Sequence, residues 1–276
     1  MKNFLSFTLL FMTINVMNAV GSPCAAQAHK DKTLVLYYSQ GGATSRVAAE
    51  LSNLLGCEMV AVEMVNPYDD AYDATLERCR QEREAGVTPD VLPVKADLGE
   101  YDTIFLGYPI WFGTYALPIA SMLKNENFDN KTIIPFCTFG SGGLESSIED
   151  LKKALPKADI HDGYGVRNAR LSAMPKELRR FLIENGYMEG EIAPLPDYQD
   201  EHAVTPADVE TFNAACSSYK FPLGTPQTVA SRVTPDGTDY RFVANAVMPN
   251  GESGRFTIYV TIPNETATAE FTRVVR

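Results

Sequence analysis

From Thr33 to Glu50 the chain reads Thr-Leu-Val-Leu-Tyr-Tyr-Ser-Gln-Gly-Gly-Ala-Thr-Ser-Arg-Val-Ala-Ala-Glu, an apolar run that stops at hydroxyls and glycines and restarts with helical spacing. That order places a turn at the positive end of a helix, where converging backbone N–H groups attract an anion. Gly41 and Gly42 can adopt positive φ. Ser39, Thr44 and Ser45 add hydroxyl donors around Gln40 and Ala43. No lysine follows the glycines as in a Walker loop, and the spacing is not the dinucleotide G-x-G-x-x-G. The matching ligand chemistry is that of a monophosphate, and the competing reading is an ordinary Gly-Gly turn.

Two more segments carry candidate binding residues. Gly107-Tyr-Pro-Ile-Trp-Phe-Gly-Thr-Tyr115 contains the single tryptophan of the chain, with Pro109, Ile110, Trp111, Phe112 and Gly113 as candidate contacts. Cys137-Thr-Phe-Gly-Ser-Gly-Gly143 allows close backbone approach through Thr138, Phe139, Gly140, Ser141, Gly142 and Gly143. One loop suited to a phosphate and two made of aromatics and glycines fit a flat, conjugated ligand with a phosphate tail, and flavin mononucleotide (FMN) has that shape. Its electron chemistry belongs to the cofactor, so no catalytic acid or base is required of these loops. A lone tryptophan is more often a partly buried core residue, but the place of Trp111 between Pro109 and Gly113, past a strand end, favours a ring contact.

Ser141 offers a competing enzyme class. It lies between a strand and a helix, and Asp159, His161 and Asp162 follow, as in a hydrolase nucleophile elbow. Phe139 occupies the first elbow position, and no HGGG-type oxyanion loop is present, so this alternative ranks low. A third class is a cell-envelope binding module whose domain of this type holds no flavin.

The elements that would position these loops follow from periodicity. Strands are expected at Thr33–Tyr38, Cys57–Val65, Thr103–Gly107, Thr132–Cys137 and, shorter, Asp159–His161. Helices are expected at Ala43–Leu55, Ala71–Ala85, Ala116–Lys124, Leu144–Leu155 and Lys176–Asn185. Alternation of this kind produces an α/β fold, a doubly wound five-stranded parallel sheet, with ligands beyond the carboxyl ends of its strands. Prolines 194 and 196 lie in a linker, and Thr205-Pro206-Ala207-Asp208 starts a helix over Pro206–Cys216. From Thr225 the period switches to two, and Pro235-Asp236-Gly237 and Pro249-Asn250-Gly251 mark turns. These features predict a small C-terminal antiparallel β module, α+β in character, packed on that helix or on the first domain. The expected division is 1–28, 32–190, 191–221 and 222–276.

Tyr38-Ser39-Gln40-Gly41-Gly42-Ala43-Thr44, Phe105-Leu-Gly-Tyr-Pro-Ile-Trp-Phe-Gly113 and Pro135-Phe-Cys-Thr-Phe-Gly-Ser-Gly-Gly143 resemble, in order, the three flavin-binding loops of the flavodoxin family, in its bacterial flavodoxin-like branch. The resemblance spans about residues 33–186. It implies a flavodoxin-like sheet of order 2-1-3-4-5, bound FMN, and electron transfer or quinone-type reduction as a flavoprotein oxidoreductase. The family's phosphate loop commonly reads Ser-x-Thr-Gly-Asn-Thr. Here Ser39, Gly42 and Thr44 match, while Gly41 and Ala43 remove one hydroxyl and one amide, a loss of about 0.5–1.5 kcal/mol net per hydrogen bond.

At the N-terminus, Lys2 precedes an apolar stretch, Phe4–Val16, too short to span a bilayer, and small residues ending Ala26-Gln27-Ala28. This pattern predicts a secretory signal peptide and a periplasmic or secreted protein with no transmembrane span after cleavage. Ala19-Val20-Gly21 is a second acceptable cleavage site, and lipid anchoring through Cys24 ranks lower. With a net charge of −11, the chain is expected to avoid nucleic acid and anionic membranes. Its partner would be a redox protein or a small-molecule electron acceptor. Cys57, Cys79, Cys137 and Cys216 show neither disulfide nor zinc spacing, and His29, His161 and His202 are scattered, so no metal site is expected.

Overall fold

The computed structural model describes residues 32–69, 71–217, 219, 222–247 and 253–275. The expected signal segment, residues 1–28, and the expected turn at 249–251 lie outside the described residues. Strand β1 (Thr33–Tyr37) leads into helix α1 (Ala43–Leu55), and β2 (Glu58–Ala61) into α2 (Tyr72–Glu84). Strand β3 (Thr103–Trp111), the short β4 (Thr114–Tyr115) and α3 (Leu117–Asn125) come next. They are followed by β5 (Thr132–Phe139), α4 (Leu144–Ala154), β6 (Asp159–Ile160), β7 (Tyr164–Arg167) and α5 (Met174–Glu184).

The parallel sheet has the order β2-β1-β3-β5-β6, with β7 also pairing with β5 and β4 folding back on β3. It is the 2-1-3-4-5 order once the hairpin strand is set aside and β6 and β7 are read as one broken fifth strand. Each face of the sheet carries its own core. Val47, Ala48 and Leu51 of α1 and Leu178 and Leu182 of α5 pack with Val35, Phe105 and Phe136 on one side. On the other, Cys79 of α2, Ile119 and Met122 of α3 and Ile148 and Leu151 of α4 pack with Leu34, Leu36, Ile104 and Leu106. Burial on both faces explains why β1, β3 and β5 are nearly continuous apolar runs.

The second, third and fifth strands depart furthest from the sequence expectation. The second strand contracts from Cys57–Val65 to Glu58–Ala61, because only those residues pair with β1. The third extends past Gly107 to Trp111, since β5 continues alongside it as far as the Pro109–Thr138 pair and β4 pairs with its end. The fifth is interrupted around Gly163, where a Cβ would stand 2.5 Å from the Pro135 carbonyl oxygen.

Beyond residue 190, β8 (His202–Ala203) and α6 (Pro206–Cys216) precede β9 (Thr225–Thr234), β10 (Gly237–Val247), β11 (Ser253–Pro263) and β12 (Glu270–Val275). The antiparallel order is β12-β11-β10-β9-β8. Helix α6 begins where expected because its signal is local: the Thr205 side chain accepts from the Asp208 N–H and the Asp208 carboxylate accepts from the Thr205 N–H. Phe212 and Ala215 of α6 pack on Phe242, Ala244, Phe256, Ile258 and Val260 of the sheet. The linker lies against the opposite sheet face, with the Tyr198 ring 4.6 Å from the Arg232 guanidinium and 5.0 Å from that of Arg241. No helix among the described residues is long and apolar enough to cross a membrane.

Candidate functional site

A cavity of about 320 Å³ opens beyond the carboxyl ends of β1 and β3, where the strand order reverses. Its size falls in the usual range for small-ligand sites. On one side stand Ser39, Gln40, Gly41, Ala43 and Thr44 of the first loop. Gly42 takes φ 82° at the N-cap of α1, with no side chain capping the helix. The first-turn amides therefore retain their donors for a ligand or solvent. A methyl group at Gly41 or Gly42 would meet no atom within 4 Å, so space for a ligand lies against the backbone.

The Ser39 hydroxyl supplies the most specific observation. Its oxygen is buried and has no hydrogen-bond partner. A buried unpaired hydroxyl costs free energy that a bound acceptor would recover. The loop around it is tied at both ends. The Thr44 and Thr138 hydroxyls share a 2.9 Å hydrogen bond, joining the first loop to β5. The Tyr38 hydroxyl donates to Gln40 Oε1 at 2.7 Å, and Gln40 Nε2 donates to the Asp69 carbonyl at 3.0 Å.

The second wall is the β3–β4 hairpin, which contributes Pro109, Ile110, Trp111 and Phe112. Trp111 pairs with Thr114, and the two residues between them have φ 51° (Phe112) and 83° (Gly113), the positive pair of a type I′ turn. The Trp111 ring is both a packing residue and a cavity residue. It meets Tyr38 edge-on at 6.0 Å and Tyr68 at 5.3 Å between ring centroids. Tyr68 is in turn fixed by its hydroxyl on Glu82 and by the Arg78 guanidinium 4.5 Å from its ring. Burial, and after it the Glu82 contact, raises the Tyr68 pKa, and burial does the same at Tyr38, so both phenols stay neutral.

A third wall was missed from the sequence. Tyr72, Thr75, Leu76 and Cys79 of α2 line the cavity, and Asn168 after β7 joins them. The spacing i, i+3, i+4, i+7 is the signal of one helix face, but nothing local says that this face meets a ligand. Burial pushes the Cys79 thiol up to about 11, so it is a neutral wall at physiological pH. Of the third loop, only Thr138 reaches the cavity. Phe139 is buried in the core, Ser141 accepts from the Val274 N–H at 2.9 Å, and Gly142 and Gly143 pack against Val274 and Ile110. Gly140 is exposed, and the Ser45 hydroxyl donates back to the Gly42 carbonyl. His161 bonds Tyr187 and Asp159, and His202 bonds the Ala203 carbonyl, so neither is paired with Ser141 as a hydrolase would need.

An open parallel sheet of this order, with a cavity at its switch point, is the doubly wound α/β arrangement of the flavodoxin-like type. The flavodoxin family model matches residues 32–181, and the chain belongs to the flavodoxin family. Among solved structures, a candidate flavoprotein from Bacteroides eggerthii is 28% identical, with a TM-score of 0.49, covering 55% of this chain and 95% of its own. A second, from Bacteroides uniformis, is 26% identical, with a TM-score of 0.48, covering 54% and 97%. A flavoprotein from Lactobacillus acidophilus, solved in complex with FMN, is 22% identical, with a TM-score of 0.45, covering 49% and 93%. No curated protein matches the chain.

Proposed function

We propose that this flavodoxin binds FMN and works as an exported electron-transfer flavoprotein, passing electrons to a redox protein or a small-molecule acceptor. The observation that carries this reading is the unpartnered, buried Ser39 hydroxyl at the N-terminus of α1, beside a cavity whose opposite wall holds Trp111. FMN supplies the electron chemistry when bound. The chain's own part is to hold and orient. The first-turn amides of α1 and the Ser39 hydroxyl suit the phosphate, since neither needs a cationic side chain. Trp111, Thr138 and the α2 face of Tyr72, Thr75, Leu76 and Cys79 suit the ring. Export rests on Lys2, the Phe4–Val16 stretch and Ala26-Gln27-Ala28, and predicts a mature N-terminus at His29 in the periplasmic or secreted fraction.

Equilibrium dialysis of the purified chain against FMN, FAD and NAD tests the cofactor. FMN is expected to bind tightest and to colour the protein yellow. Tighter binding of FAD or NAD, or no binding of any, would sink the reading in favour of a flavin-free binding module. Ser39→Ala removes one hydroxyl donor to a charged group, and a bond of that kind contributes about 1.5–3 kcal/mol. The FMN dissociation constant is therefore expected to rise at least tenfold with little change in folding stability.

A further inference from the structure

The end of the C-terminal sheet reaches the third loop of the flavodoxin unit. The Val274 N–H donates to the Ser141 carbonyl at 2.9 Å. A Cβ at Gly142 would stand 2.3 Å from the Val274 carbonyl oxygen, so only glycine permits this approach. Arg167 at the end of β7 closes the contact from the other side. Its Nε donates to the Gly140 carbonyl and its Nη1 to the Phe271 carbonyl, both at 2.7 Å, with its guanidinium 4.4 Å from the Phe271 ring centroid. Next to it, Arg170 is 6% exposed and ion-paired at 2.8 Å to Glu177 of α5 and at 3.0 Å to Glu270 of β12. Arg273 of β12 adds a 3.3 Å pair with Glu145 in the first turn of α4.

We infer that Arg167 and strand β12 are positioning elements of the cofactor site: they set the backbone of residues 140–142, which follows the cavity residue Thr138 in the chain, as Arg167 itself precedes the cavity residue Asn168. The inference rests on the FMN reading for its ligand, but the loop geometry stands apart from it. Glycine-rich backbone has little intrinsic preference, so an external pair of hydrogen bonds decides its conformation. A loop held before the ligand arrives spares the ligand the ordering entropy. Residues 191–276 are thus more than an appendage, because their last strand supplies a donor to the loop that follows the cavity residue Thr138.

Two full-length variants attack this contact from opposite sides. Arg167→Ala removes the bridge from the flavodoxin side. Val274→Pro deletes the donor to Ser141 from the sheet side, and its N–H faces away from the β11 ladder, the place where a strand tolerates proline. Backbone order parameters from 15N relaxation of the FMN-free protein should fall below about 0.6 at residues 140–143 in both, with α1 and β9–β11 unchanged as the control for folding. On FMN addition, both variants should bind several-fold more weakly and show a shifted visible flavin band, and Arg167→Lys should restore part of each effect. Unchanged order parameters at 140–143 in both variants overturn the inference whatever FMN does. Lowered order parameters with parental affinity and spectrum overturn the link between this loop and the cofactor. Lowered order parameters in a chain whose parent takes no FMN support the loop assignment and fault the cofactor reading.

Discussion

Gly107→Ala is expected to destabilise the protein by about 3 kcal/mol or more, the upper range for forcing volume into a packed core. Gly107 lies in the central strand β3, between Tyr37 of β1 and Phe136 of β5. Its missing side chain leaves room for the Phe136 ring, three atoms of which would stand 2.1, 2.4 and 2.7 Å from a new Cβ. Phe136 is 1% exposed and has no free space to enter. Backbone movement is blocked as well, since β3 is hydrogen-bonded on both edges. Urea unfolding monitored by circular dichroism measures the loss. The double variant Gly107→Ala/Phe136→Leu should recover part of it, because the two positions share one volume. Parental stability in the single variant would show that the ring can leave this position at little cost.

Trp111→Ala should strike both stability and cofactor binding. Truncating a large aromatic in a core costs about 3–5 kcal/mol, and Trp111 is only partly buried, which places the expected loss nearer about 2 kcal/mol. The edge contacts to Tyr38 and Tyr68 would both disappear. The FMN dissociation constant should rise about tenfold, since an aromatic contact contributes on the order of 0.5–1.5 kcal/mol beyond area. Residual flavin fluorescence should brighten as the quenching indole is removed. A variant that loses stability yet binds and fluoresces like the parent would make Trp111 a packing residue alone.

These two positions also show where sequence reading stopped. Trp111 was visible as a candidate because it follows an apolar strand and stands between Pro109 and Gly113, but the two tyrosines that fix its ring are 73 and 43 residues upstream. The demand on Gly107 comes from Phe136, across the sheet, and has no local trace.

The sequence by itself determined whatever depends on neighbours along the chain. Helix α1 runs Ala43–Leu55 as expected, because a left-handed glycine stands at each end. Helix α6 follows from its capping box, and the first β-turn of the C-terminal sheet from Pro235-Asp236-Gly237. The alternation of strand and helix was sufficient for a parallel sheet, and the first loop for a glycine turn into a helix N-terminus that has no side-chain cap. Tertiary structure alone decided which helix face became a cavity wall, where the fifth strand breaks, and that β12 meets Ser141. The reason is the range of the forces involved. Caps, turns and periodicity act over a few residues and leave a pattern in the chain. A contact such as that of Arg167 with Phe271 joins segments 104 residues apart, and it exists only once two separately patterned sheets have packed.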